Sequence, residues 1–233
     1  AYAAQMARRA ADYGVVISGQ ITVDMKQVKA RKDRISGESN SGVEKWLKGM
    51  DNCTVFEGHA RFESAREVRV GDVLLSSERI FINSGGRPVI PELNGLTDVP
   101  YLTSSTMMDV DFLPRHLIIL GGGYIALEFG QMFRRFGSEV TLIERGPRLI
   151  AREDEDVSEA IHGILANESV AIELNTVCTS VGKEDGGVVV RGESGGKLVE
   201  FHGSHLLCAV GRRPNTDDLG VERAGIATDA RGY

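Results

Sequence analysis

His116-Leu-Ile-Ile-Leu-Gly-Gly-Gly-Tyr-Ile-Ala-Leu-Glu-Phe-Gly130, with Glu139-Val-Thr-Leu-Ile-Glu144 after it, decides how the rest of the chain is read. Leu117, Ile118, Ile119 and Leu120 make an apolar run of strand length, and three glycines, Gly121, Gly122 and Gly123, follow it. Beyond them apolar residues return at helical spacing through Ile125, Phe129, Met132 and Phe133. The order is strand, glycine turn, helix. The turn reads G-x-G-x-x-A: Gly121 permits a tight bend, Gly123 lets a phosphate approach the backbone, and Ala126 is small enough for close helix-strand packing. A dinucleotide's pyrophosphate is expected on the helix N-terminus, where unpaired N–H groups and the helix dipole favour an anion. The alternative is a glycine turn that only packs a helix on a sheet.

The helix runs to Phe136, breaks at Gly137-Ser138 and leads into a second strand whose last residue is acidic. Glu144 follows Ala126 by 18 positions, near the spacing at which a carboxylate accepts hydrogen bonds from an adenosine ribose. A carboxylate there disfavours a ribose 2′-phosphate by like charge, so NAD is expected over NADP. Arg145 and Arg148 follow directly and argue the other way, since guanidinium groups suit phosphate.

With 233 residues the chain is long enough for one large or two small domains, and two are expected. A hydrophobic content of 42% and a charged content of 26% are ordinary for a globular protein, and no apolar run reaches transmembrane length. The formal charge of −6 argues against a nucleic-acid surface, which needs clustered Lys and Arg. The basic run at 26–34 reads as a solvated helix face. Three cysteines, Cys53, Cys178 and Cys208, are too few and too scattered for a disulfide framework or a zinc site, so no metal is expected. Reduced thiols and a cytoplasmic location fit this usage, and Cys208 reads as a small core hydrophobe.

Outward from the central unit, residues 2–13 have helical spacing and stop at Gly14, with a short strand or connector at 15–18. Asp24 is a candidate N-cap for helical structure at 25–35 and again at 42–50, interrupted by the polar stretch 37–42. Short alternating runs at 53–57, 59–63, 67–70, 73–76 and 79–83 predict an antiparallel meander. The stretch 83–95 carries a glycine turn and two prolines and marks a crossing between domains. A capped helix is expected at 102–110, a second helix at 153–167 with an acidic first turn, and a third parallel strand at 170–174. A small β-meander (177–183, 188–191, 198–202) precedes a buried strand at 205–210.

Leu120-Gly-Gly-Gly-Tyr-Ile-Ala-Leu-Glu128, Thr141-Leu-Ile-Glu-Arg145 and Cys208-Ala-Val-Gly-Arg-Arg-Pro-Asn215 resemble the central part of the pyridine nucleotide-disulfide oxidoreductases, of the lipoamide dehydrogenase and mercuric reductase kind. Ile82-Asn-Ser-Gly-Gly-Arg-Pro88 is similar to the family's turn out of its flavin domain. The resemblance implies an α/β fold: a Rossmann-type NAD-binding domain, with a parallel sheet and a small meander, beside part of a second, FAD-type α/β domain. It implies a partial FAD domain at 1–91, an NAD(P) domain at 92–211 and a return segment at 212–233. Cofactors would be NAD, less readily NADP, with FAD in the full-length protein.

By residue, the resemblance makes Tyr124 the gate over the flavin, Glu128 the acid beside the nicotinamide, and Gly211 and Arg212 residues that approach nicotinamide and flavin. Ala60, Ser84 and Gly85 would lie near FAD, and Val177 would touch adenine, although an apolar core role suits Val177 equally. Gly121, Gly122, Gly123, Ile125, Ala126, Glu144 and Arg145 complete the expected cofactor set.

The family's first glycine motif, its redox cysteine pair and its interface domain are not in this sequence, which begins at Ala1 inside a helical pattern. The expectation is therefore a central piece of a homodimeric reductase for a disulfide or small molecule, inactive by itself. The alternative is a self-sufficient dinucleotide-binding module serving regulation.

Overall fold

Alternate residues of the strand His116–Leu120 enter opposite cores: Leu117 and Ile119 join one apolar cluster, Ile118 and Leu120 another. That period of two explains the unbroken apolar run, because a parallel strand covered on both faces has no polar side. The computed structural model describes residues 1–233. In chain order its elements are α1 (Tyr2–Arg8), α2 (Met25–Lys48), β1 (Ala60–Ser64), β2 (Glu67–Val70), β3 (Val73–Ser76), β4 (Gly86–Pro88), β5 (Tyr101–Thr103), β6 (His116–Leu120) and α3 (Tyr124–Phe136). There follow β7 (Glu139–Ile143), α4 (Glu155–Asn167), β8 (Ala171–Glu173), β9 (Thr176–Glu184), β10 (Gly187–Ser194), β11 (Lys197–Gly203), β12 (His205–Cys208) and β13 (Arg212–Pro214).

Two compact units divide the chain, one of residues 1–31 with 88–211, the other of 32–87 with 212–233. In the first, a five-stranded parallel sheet has the order β5-β12-β6-β7-β8. The chain moves from β6 outward through β7 to β8, then returns to β12 on the other side of β6. The carboxyl end of β6 therefore stands where the strand order reverses, the place at which open α/β sheets bind ligands.

One face of this sheet carries α3. Its buried residues Ala126, Leu127, Phe129, Gly130, Phe133 and Phe136 repeat at three and four positions, so one stripe meets Leu117, Ile119, Val140, Leu142 and Leu207. Each fully buried Leu or Phe of that stripe contributes about 1.5–3 kcal/mol of transfer free energy, an upper figure for a chain already collapsed when unfolded. Gly130 sets the helix-sheet distance, since a β-carbon there would lie 3.4 Å from Leu142 and 3.5 Å from Ile119. At Gly137 (φ +126°) the helix ends, the Gly137 N–H donating to the Phe133 and Arg134 carbonyls. Arg8 of α1 donates to the Phe136 carbonyl at 3.0 Å, a cation on the negative end of the helix dipole.

The opposite face is covered by the antiparallel sheet β11-β10-β9, whose Val181, Val188 and Val190 pack with Ile118, Leu120, Ile143, Leu206 and Cys208. The expected helix at 153–167, the third parallel strand and this second meander are all present.

In the second unit β1-β2-β3 form an antiparallel meander, and the return segment joins it through the Phe62 N–H, which donates to the Leu219 carbonyl at 2.7 Å. β4 pairs with β13.

Three expectations need correction. α2 is continuous through 37–42: Gly37 and Gly42 cost helix propensity without breaking the ladder, and the i,i+4 pairs Arg34–Glu38 and Glu44–Lys48 flank them. Only three of the five runs at 53–83 form the first meander; 53–57 and 79–83 join no strand, and Phe81 is 91% exposed. Residues 15–18 form a connector, one of the two expected forms. The helix expected at 102–110 shrinks to a one-turn 3-10 helix, Thr106–Asp109, because Tyr101–Thr103 pairs with β12 as an outer strand. Residues 1–31 pack with 88–211, Met25 and Val28 joining the core under α3. Asp24 does cap α2, its Oδ1 accepting the Gln27 N–H at 3.1 Å.

Candidate functional site

Where β6 ends, Gly121 turns the chain with φ +111°, a conformation costly to any residue with a β-carbon. Its N–H donates to the Ile143 carbonyl at 2.8 Å, and a β-carbon on it would lie 2.5 Å from the Ala209 carbonyl oxygen. The bend is thus wedged between the ends of β7 and β12. Gly123 differs: nothing lies within 4 Å of the place a β-carbon would take, so that side of the turn is open. Gly123 is also the N-cap of α3 and supplies no side-chain acceptor, which leaves the first-turn N–H groups without a capping side chain. Such a donor set suits an anion.

Glu144 lies just past β7. Its Oε2 accepts the Gly122 N–H at 2.5 Å and its Oε1 the Gly146 N–H at 2.7 Å. Its own N–H donates to the Glu173 carbonyl, and its carbonyl accepts the Thr176 N–H, so β8 and β9 hold its backbone from both sides. Val177 follows Thr176 and, at 53% exposed, belongs to neither core. Arg145 is exposed, whereas Arg148 turns back and donates to the Ala151 carbonyl at 3.2 Å.

Tyr124 and Glu128 are exposed one helical turn apart on α3, and Ala126 and Ile125 face inward to the core. Gly211 (φ +151°) accepts the Val89 N–H at 3.0 Å, two residues beyond Ala209, whose carbonyl abuts Gly121. Gly121, Gly122, Gly123, Tyr124, Ala126, Glu128, Glu144, Arg145, Val177 and Gly211 all belong to the first unit.

Ala60, Ser84, Gly85 and Arg212 belong to the second. There Asn215 binds the exit turn twice, its Nδ2 donating to the Ser84 carbonyl and its N–H to the Gly85 carbonyl, each at 3.0 Å. Arg212 donates to the Gly86 carbonyl. His59, Ser84, Arg87, Asn215, Asp217, Asp218 and Leu219 line an open cleft of about 540 Å³. Arg87 pairs with Asp217, holding that carboxyl below its ordinary range, and donates to Asn215 Oδ1 at 2.9 Å. Sequence reading assigned no role to Gly146, Arg87 or Asp217. Arg87 and Asn215 stand inside blocks quoted above, but their pairing needs residues over a hundred positions apart to meet.

No disulfide joins the three thiols, although Cys178 packs against the core that contains Cys208. Burial pushes Cys178 up to about 11, and burial together with Cys178 pushes Cys208 to about 12. Cys208 sits in the second core, as expected of a small hydrophobe. No helix is long and apolar enough to cross a membrane.

The family model for the pyridine nucleotide-disulphide oxidoreductases matches residues 6–233. Over 191 residues the chain is 39% identical to a probable pyridine nucleotide-disulfide oxidoreductase, RclA, of Escherichia coli K12, covering 80% of this chain and 42% of that one. It is 32% identical over 210 residues to a mercuric reductase of Lysinibacillus sphaericus, covering 88% and 38%. With a dihydrolipoyl dehydrogenase of Thermus scotoductus it shares 31% over 225 residues, 94% and 48% of the two chains. The solved structure of the HOCl-induced flavoprotein disulfide reductase RclA from Escherichia coli superposes with a TM-score of 0.81 at 35% identity, covering 91% of this chain and 48% of that one. The chain thus spans about half the length of these relatives, or less. With nearly all of its residues matched and its glycine turn built as the motif requires, the chain belongs to the pyridine nucleotide-disulphide oxidoreductase family.

Proposed function

We propose that this chain is the NAD(H)-binding central portion of an FAD-dependent pyridine nucleotide-disulfide oxidoreductase, the part that presents NAD(P)H to flavin. The observation that carries the reading is the open N-terminus of α3 at the strand-order reversal, with Glu144 at the end of the neighbouring strand. Gly123 and the first-turn amides of α3 bind the pyrophosphate, Glu144 and Val177 take the adenosine end, and Tyr124, Glu128 and Gly211 face the nicotinamide end. Ala60, Ser84, Gly85 and Arg212 serve FAD, and the cleft between His59 and Asn215 supports that assignment. Hydride transfer is chemistry that the two cofactors supply when bound; the protein orients them and excludes water.

The electron acceptor is a disulfide or another small molecule, and the intact enzyme works as a homodimer. This chain's own cysteines do not relay electrons to it: Cys53 has no second cysteine at the family's C-x-x-x-x-C spacing. A relay thiol must ionise, and Cys178 and Cys208 are held protonated by burial. The chain by itself accordingly reduces no disulfide.

Titrating NADH into the Gly123→Val variant tests the reading. Nothing lies within 4 Å of a β-carbon at Gly123, and its φ of −82° suits any residue, so the variant is expected to fold with the valine in the phosphate path. Affinity is expected to fall by tenfold or more, on the order of 1.4 kcal/mol. Undiminished binding to a folded Gly123→Val protein overturns the assignment.

A further inference from the structure

Two glycines near the site are not explained by backbone conformation or by the nucleotide motif. Gly122 is the variable position of G-x-G, and Gly146 lies beyond the motif altogether; neither has a positive φ. What they share is the Glu144 carboxylate. A β-carbon on Gly122 would stand 2.9 Å from Glu144 Oε2, and one on Gly146 would stand 3.1 Å from Oε1. At either position a side chain would press on the carboxylate, which lies against both backbones, each oxygen taking one N–H, at 2.5 Å and 2.7 Å.

The two amides come from different loops. Gly122 belongs to the turn between β6 and α3, Gly146 to the connection between β7 and α4. Further bonds tie the same loops: the Ile150 N–H donates to the Gly122 carbonyl at 2.8 Å, and the Asn175 N–H to the Gly146 carbonyl at 2.9 Å. Glu144 itself is fixed by β8 and β9 through its own N–H and carbonyl. A charged acceptor with two backbone donors is a strong, short-range constraint.

We propose that Glu144 is a positioning residue: its carboxylate latches the glycine turn to the β7–α4 loop and so presets the N–H groups of α3 before any nucleotide arrives. This rests on the dinucleotide reading above and adds a second role to the ribose contact expected there. Pre-setting matters because donors already in place lose no conformational freedom on binding. The latch also holds the carboxylate's charge at Gly122, one residue short of the N-cap, leaving the amides beyond it to a bound anion.

A ligand cycle separates the two roles. Adenosine diphosphate ribose, and an analogue whose adenosine ribose lacks both hydroxyls, are titrated into the wild-type chain and into Glu144→Gln and Glu144→Ala. A latch acts on the phosphate donors, so Glu144→Ala is expected to weaken both ligands by about tenfold, with Glu144→Gln, which keeps one acceptor oxygen, in between. A loss confined to the ligand with hydroxyls overturns the latch and leaves the dinucleotide site standing; so does no loss with either. Should the wild type bind neither ligand, the dinucleotide reading fails, and the latch is judged on the free protein. There, amide hydrogen exchange at Gly122 and Gly146 is expected to speed up by about tenfold in Glu144→Ala, with Ile118 and Ile119 unchanged. Unaltered exchange at those two glycines overturns the proposal.

Discussion

Gly121 and Ala209 approach so closely that a β-carbon at position 121 would lie 2.5 Å from the Ala209 carbonyl oxygen. The contact joins the end of β6 to the end of β12 and fixes the turn from which α3 departs. With φ at +111°, a side chain at Gly121 meets backbone strain as well as this clash. Gly121→Ala is therefore expected to destabilise the chain by about 2–4 kcal/mol, read as a lower urea midpoint with unchanged slope. A midpoint within experimental error of wild type would show that the two strand ends move apart at little cost.

Acid sensitivity follows from two half-buried histidines at the opposite end of the same strands. Burial lowers His116 below its ordinary value of 6.5, Glu139 opposing and Arg115 adding to the shift; burial also lowers His205. His116 Nε2 meets the Thr141 hydroxyl at 2.9 Å, and His205 Nδ1 meets the Ser204 hydroxyl at 3.0 Å. A folded-state value below the unfolded one means that the unfolded chain binds protons first. The stabilisation is complete above about pH 6.5 and is lost as pH falls toward the folded values. Urea midpoints at pH 7.5 and 5.5 should differ for the wild type and differ less for a His116→Gln/His205→Gln double variant. An equal drop in both proteins would assign the sensitivity to other groups.

Thiol reactivity should be unequal. Around pH 8 a thiol held near 11 is roughly one thousandth ionised and one near 12 roughly one ten-thousandth, and only the thiolate attacks a disulfide reagent. Of the three free cysteines, Cys53 is expected to react promptly in the native chain, Cys178 and Cys208 slowly, and all three at once in urea. Three prompt equivalents from the native protein would contradict the burial of the second core.

The unit β6-α3-β7 was legible because both cores leave their mark on one strand: Leu117 to Leu120 are apolar without interruption, and α3 repeats Phe129, Phe133 and Phe136 at helical spacing. Tyr101–Thr103 was not legible as a strand, since it pairs with Leu206, Leu207 and Cys208, about a hundred residues on, and local hydroxyls mimic a helix cap. The straight run of α2 through Gly37 and Gly42 hid behind glycine's poor helix propensity. At the site, Gly121, Gly123, Ala126 and Glu144 could be read from spacing, because the motif is contiguous and the acid closes the next strand. The bond from Gly146 to Glu144 could not, because it depends on how one loop folds back over its own carboxylate.

On the proposed dinucleotide reading, the choice between NADH and NADPH turns on the same carboxylate. A 2′-phosphate at the ribose would meet the Glu144 charge at short range, and only Arg145 and Arg148, turned toward it, would offset that charge. Arg148 is already turned to the Ala151 carbonyl and Arg145 is solvated, so neither is organised for a phosphate. Glu144, held by Gly122 and Gly146, cannot rotate away without giving up two charge-assisted hydrogen bonds. NADH is therefore expected to bind tighter than NADPH by on the order of tenfold, about 1.4 kcal/mol. Calorimetry with both nucleotides on the wild type and Glu144→Ala checks this. Removal of the charge should narrow the ratio even where the loss of the latch weakens both ligands together. Equal or tighter NADPH binding by the wild type would rule out the preference, and an unchanged ratio in the variant would place the discrimination in another residue.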